Sequence, residues 1–133
     1  MIYPKEVHIQ YFANNPDIQK GMVLGISKSE YPIEVDLIYK THGIPIGLSM
    51  QNIVTYNEMC TRMLGNDETI SGSKIYVMTN GEVLIKCDID LPIRQPIYVD
   101  TRTAMLTWKK LGPEVGYTTS VCSDGFVRVK VEF

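Results

Sequence analysis

Seven side chains are the candidates for chemistry in this 133-residue sequence: Cys60, Cys87, Cys122, His8, His42, Asp88 and Asp90. A cysteine attacks as its thiolate, so a cysteine nucleophile needs a neighbouring base to ionise near neutral pH. Cys87 and Cys122 lie in strand-like stretches among apolar neighbours, which favours burial, and Cys60 falls on the one helical stretch beside methionines. Three cysteines and two histidines hold enough donors for a zinc ion, but the close pairing of cysteines typical of structural zinc sites is missing. The expectation is three unpaired, unmetallated thiols in a protein made in a cytoplasm. His42 sits in the turn Thr41-His42-Gly43, where an exposed histidine is the ordinary outcome. Asp88 and Asp90 are spaced to share one face of a strand. Paired carboxylates do acid–base work when burial separates their proton affinities, and a solvated strand edge is the simpler reading. Phosphate-loop, nucleophile-elbow and metalloprotease signatures do not occur. No catalytic, cofactor or metal site emerges, and the chain reads as a non-enzyme.

The elements that would position any site are mostly strands. In Phe126–Phe133, Val127, Val129, Val131 and Phe133 alternate with Arg128, Lys130 and Glu132, the period of a half-buried strand. Arg128 and Lys130 are expected at the surface. Pro96–Asp100, Met105–Trp108 and Glu114–Val121 precede that strand, and Ser123-Asp124-Gly125 turns into it. Lys74–Asp88 reads as a hairpin across Asn80-Gly81, a pair that suits a type I′ turn. Lys20–Ile26, Ile33–Tyr39 and Ile44–Met50 supply further strands, with Ile33, Val35 and Leu37 facing inward. Tyr56–Leu64 is the single helical stretch, with Thr55 and Glu58 at capping-box spacing and Gly65 placed to end it.

Composition excludes several classes. Apolar residues make up 44% and charged residues 21%, an ordinary globular balance, and the length suits one domain. The net charge of −2 and the absence of a basic cluster argue against nucleic acid as a partner. No apolar run is long enough to span a membrane, and Met1–Glu6 lacks the basic and apolar regions of a secretory leader. Eight tyrosines are many, and tyrosine suits interfaces because its body is apolar and its tip polar.

Residues 1–19 read as an N-terminal arm and 20–133 as a single β domain, with a loop and short-helix insertion near 52–73. Val7, Ile9 and Tyr11 alternate with polar residues ahead of the turn Asn14-Asn15-Pro16-Asp17. That segment is either the first strand of the domain's own sheet or an extended arm that pairs with another subunit. An assembly role would place Tyr3, Val7, Ile9, Tyr11 and Phe12 at a partner interface. The fold class expected is mainly β: a small antiparallel barrel or sandwich with one short helix and that arm.

The order of motifs resembles the small β-barrel proteins that decorate or cement bacteriophage capsids. The matching segments are Ile46-Gly47-Leu48, Val77 to Val83 around Asn80-Gly81, Ile97-Tyr98-Val99-Asp100, Leu106-Thr107, Val115-Gly116-Tyr117 and Val127–Val131. The resemblance implies a structural virion protein, commonly trimeric, on the outer capsid surface, with the major capsid protein and its own copies as partners and no cofactor. Another virion component of the tail or head–tail joint shares these features. A small hydrolase or ligand-binding barrel using Asp88, Asp90, His42 or Cys122 is the alternative from a different class.

Overall fold

Eleven strands carry the fold in the computed structural model, which describes residues 1–133. They are β1 (Ile2–Phe12), β2 (Val23–Lys28), β3 (Glu34–Leu37), β4 (Gly47–Ser49), β5 (Asn52–Val54), β6 (Glu68–Ile70), β7 (Lys74–Lys86), β8 (Pro96–Asp100), β9 (Met105–Thr107), β10 (Glu114–Thr118) and β11 (Phe126–Glu132). One 3-10 turn, Ile38–Lys40, and one helix, α1 (Tyr56–Met59), complete the set. Nine strands form a single sheet in the order β1-β3-β2-β4-β7-β11-β10-β8-β9, and β1 also pairs with β7. The extra pairing closes β1, β3, β2, β4 and β7 into a five-stranded ring, as in a small barrel. Strands β11, β10, β8 and β9 continue from the far half of β7. They curl back far enough for Val23 N–H to donate to the Ala104 carbonyl at 2.7 Å. Apart from β1–β3 and the separate β5–β6 pair, neighbouring strands run antiparallel. The fold is mainly β, as its alternating patterns indicate.

The core follows those patterns. Val127, Val129 and Val131 on β11 are fully buried, as are Ile97 and Val99 on β8 and Ile75 and Val77 on β7. Val35 and Leu37 point inward from β3, and Ile33 is half-buried just before it. Arg128 is exposed as expected, whereas Lys130 is half-buried. Its ammonium meets Glu132 at 3.1 Å, so the apolar stem is covered while the charge stays paired at the surface.

Asn80-Gly81 is not a turn. β7 runs unbroken through both residues, with β1 beside it from Lys74 to Val83, β4 at Val77 and Met78, and β11 from Asn80 to Lys86. A Cβ on Gly81 would lie 2.6 Å from the Tyr3 carbonyl oxygen and 2.7 Å from the Met78 sulfur. The glycine therefore serves the close approach of the β1 backbone. The strand is shared between ring and extension, and a hairpin there would have removed the shared element.

The helix ends at Met59 rather than near Leu64. Thr55 caps it as expected, accepting from Glu58 N–H at 3.2 Å, but the Glu58 carboxylate turns to Arg62 instead of back to the cap. None of its residues is buried, so no packed face rewards another turn. Arg62 instead makes a two-pronged bond to Glu68 at 2.6 and 2.7 Å, and Gly65 N–H adds a third bond at 2.8 Å. These bonds pull the Glu68 carboxyl down to about 2. Within the 52–73 insertion, where Glu68 and Thr69 read as surface loop, Glu68–Ile70 is β6 and pairs in parallel with β5, closing the insertion at its base.

Cys87 and Cys122 are joined by a disulfide, contrary to the expectation of three free thiols. Pairing of β11 with β7 sets Phe126 opposite Lys86, and the turn before β11 returns Cys122 to Cys87, with Cα atoms 6.2 Å apart. Cys60 alone is free, and it is exposed rather than packed against methionines.

Candidate assembly surface

The N-terminal segment is a strand of its own sheet. β1 lies antiparallel to β7 from Ile2 opposite Val83 to Phe12 opposite Lys74. Beyond it, Asn15 builds the expected turn: its side-chain oxygen accepts from Asp17 N–H at 2.9 Å and its carbonyl from Ile18 N–H at 3.1 Å. Ala13 and Ile18 are buried, so the 1–19 stretch is tied to the core at both residues.

Only one edge of β1 is used along most of its length. β3 meets the other edge at a single position, Phe12 opposite Glu34, where Phe12 N–H donates to the Ile33 carbonyl at 2.9 Å. From Ile2 to Tyr11 the outer edge carries no strand. The side chains there are also poorly covered: Tyr3, Val7 and Ile9 are 51%, 39% and 56% exposed. Tyr11 and Phe12 differ. Both are half-buried, Tyr11 packs on the core, and Lys74 lies 5.8 Å from the centre of the Phe12 ring. The five residues expected at an interface therefore divide into three outward residues and two that anchor β1 to its own domain.

Tyr76 joins the exposed set at 48%. It occupies the gap on β7 between Val77, opposite His8, and Ile75, opposite Tyr11. Alternation along Ile75-Tyr76-Val77 already turns it outward in the sequence. That it lies beside β1 depends on a pairing some seventy residues distant, which the sequence pattern does not contain.

The centre of β1 is held by polar contacts. The Thr79 hydroxyl donates to the Glu6 carboxylate at 2.8 Å, and His8 Nε2 lies 3.0 Å from the same carboxylate oxygen. His8 Nδ1 lies 3.4 Å from the Gln10 side-chain oxygen. The His8 bond, then the Thr79 bond, hold the Glu6 carboxyl below its ordinary value, and the Glu6 bond raises His8 above 6.5. A histidine with a raised folded value contributes its contact fully below the unfolded value, and that contribution is lost as pH rises through the folded one. His8 is exposed enough for the effect on stability to be small. The ring resonances of His8 in an NMR titration are expected to move with a midpoint above 6.5, and Glu6→Gln is expected to bring that midpoint down.

Residues considered for chemistry do not converge. His42 is exposed at the rim of a hollow lined by Ile26, Ser27, Ser29, Thr41, Ile44 and Ile46, with no cysteine or carboxylate among them. Asp88 and Asp90 follow β7 on an exposed bend rather than sharing a strand face. Cys122 is bound in the disulfide and is not a thiol nucleophile. No group of three or more His, Cys, Asp or Glu side chains is placed to hold a metal ion. A hollow of about 610 Å³ is an apolar cleft between the start of β1, the far half of β7 and β9, lined by Ile2, Leu84, Ile85, Leu106 and Phe126 among others. Nothing in the strand patterns marks that cleft, because its walls come from segments far apart in the chain. No protein-family model matches this chain, and no curated protein matches it.

Proposed function

We propose that this chain is a structural protein of a tailed-phage virion that binds the outer capsid surface and stabilises the shell, without catalysis. The observation that carries the reading is β1: a strand at the rim of a closed β scaffold, unpaired on its outer edge from Ile2 to Tyr11, with Tyr3, Val7 and Ile9 left exposed. A shell protein gains from many weak contacts repeated over a symmetric lattice, so a modest apolar surface on a stiff scaffold is enough. The resemblance of the strand motifs to capsid decoration proteins points the same way, with the major capsid protein as the partner. Electron cryomicroscopy of virions from the phage genome encoding this chain tests the reading. Density for this fold on the outer face of the shell is the expected result. Density confined to the tail or the head–tail joint, or no density in the particle, would overturn it.

A further inference from the structure

We propose that the free edge of β1 takes the β1 strand of a second copy, antiparallel and centred on Val7, to give a two-fold dimer. This rests on the assembly reading and deepens it by naming what sits on that edge.

The argument rests on self-complementarity. In an antiparallel pair centred on Val7, facing residues have numbers that sum to 14. Val7 then faces Val7, and Glu6 faces His8 of the second copy. Each is a favourable cross-strand pair: aliphatic on aliphatic, acid on base. A two-fold axis makes every such pair twice. Centring one residue to either side loses the match: about Glu6, His8 faces Pro4 and two carboxylates meet on the axis. About His8, two imidazoles meet and Glu6 faces Gln10.

The shape of the strand agrees. Relative to β7, β1 carries one extra residue between Pro4 and Glu6 and another between His8 and Tyr11, and β7 carries one extra between the partners of Glu6 and Val7. Such insertions bend a strand, and the two that lie on β1 fall on either side of Val7. The bends flank Val7 on both sides, so a second copy turned about that residue presents its own bends near those of the first. The ladder is short, which places the dimer among weak associations. A two-fold pair also differs from the trimer that the family resemblance implies.

Sedimentation of the full chain over about 10 to 300 µM, a range suited to weak association, tests the proposal with two substitutions at one exposed position. Ile9 faces Lys5 of the second copy, so Ile9→Lys sets like charges together twice per dimer and Ile9→Glu sets opposite charges together. The expected result is a concentration-dependent wild-type dimer, weakened at least tenfold by Ile9→Lys and kept or tightened by Ile9→Glu. Mild oxidation of Val7→Cys in a Cys60→Ser background is expected to give a disulfide-linked dimer, and Ile9→Cys in that background is not. A monomeric wild type at the highest concentration overturns the pairing. So does an equal response to the two charges, or equal cross-linking at positions 7 and 9. Each of these outcomes leaves binding to the capsid shell to be judged by microscopy, so the two readings fail separately.

Discussion

Deleting residues 1–12 is expected to leave a chain without a cooperative unfolding transition. β1 is the longest neighbour of β7 and closes the five-stranded ring, with registered pairs from Ile2–Val83 to Phe12–Lys74. Its removal strips one edge of β7 from Lys74 to Val83 and uncovers the core against which Ile2 and Tyr11 pack. A backbone hydrogen bond contributes about 1 kcal/mol net, so the ladder alone is worth several kcal/mol. Native domains hold only about 5 to 15 kcal/mol in total. Thermal melts by circular dichroism, with dye binding to report exposed apolar surface, check the outcome. A truncated chain that still melts sharply within a few degrees of the full one would show that β1 is dispensable to the fold. The sequence alone allows that result, since the segment also reads as a detachable arm; its pairing with β7 is what reverses the expectation.

Loss of the Cys87–Cys122 bridge is expected to lower the melting temperature by about 10 to 15 °C. The bridge closes a loop of 35 residues. Restricting a loop of that size in the unfolded chain is worth about 3 to 4 kcal/mol on the chain-entropy account. At about 4 °C per kcal/mol for a domain of this length, the shift follows. Calorimetry of Cys87→Ser/Cys122→Ser against the oxidised wild type measures it, and reductant should move the wild type towards the double variant. Thiol titration in denaturant is expected to find one reactive group, Cys60, before reduction and three after. A count of three without reductant would remove the bridge from the account.

These two predictions mark where the sequence was legible and where it was not. Strands whose partners follow closely were readable: β8, β9, β10 and β11 lie near their expected places, and Val127, Val129 and Val131 are buried as their spacing requires. Local chemistry was readable too, as with the Thr55 cap and the Asn15 turn. What failed was long-range. Asn80-Gly81 has the composition of a tight turn, yet the approach of β1 and the packing on both sides of β7 hold it extended. Cys87 and Cys122 show no motif spacing, because the β7–β11 pairing brings them together. For the candidate site, outward side chains were named from alternation, but the split between exposed Tyr3, Val7 and Ile9 and anchored Tyr11 and Phe12 depends on Lys74 and the core beneath.

The β1–β7 ladder also sets a schedule. Its partners stand about 60 to 80 residues apart in the chain, so β1 leaves the ribosome well before the strand it needs. At about 5 to 20 residues per second, that interval lasts some seconds to more than ten. Throughout it the Tyr3, Val7 and Ile9 side chains and both backbone edges of the segment are unsatisfied. Pro4, Lys5 and Glu6 separate Ile2 and Tyr3 from the apolar residues that follow, and such interruptions discourage nascent chains from stacking on one another. The residues that keep this strand irregular in the finished sheet are thus the ones that guard it while the chain is still being made.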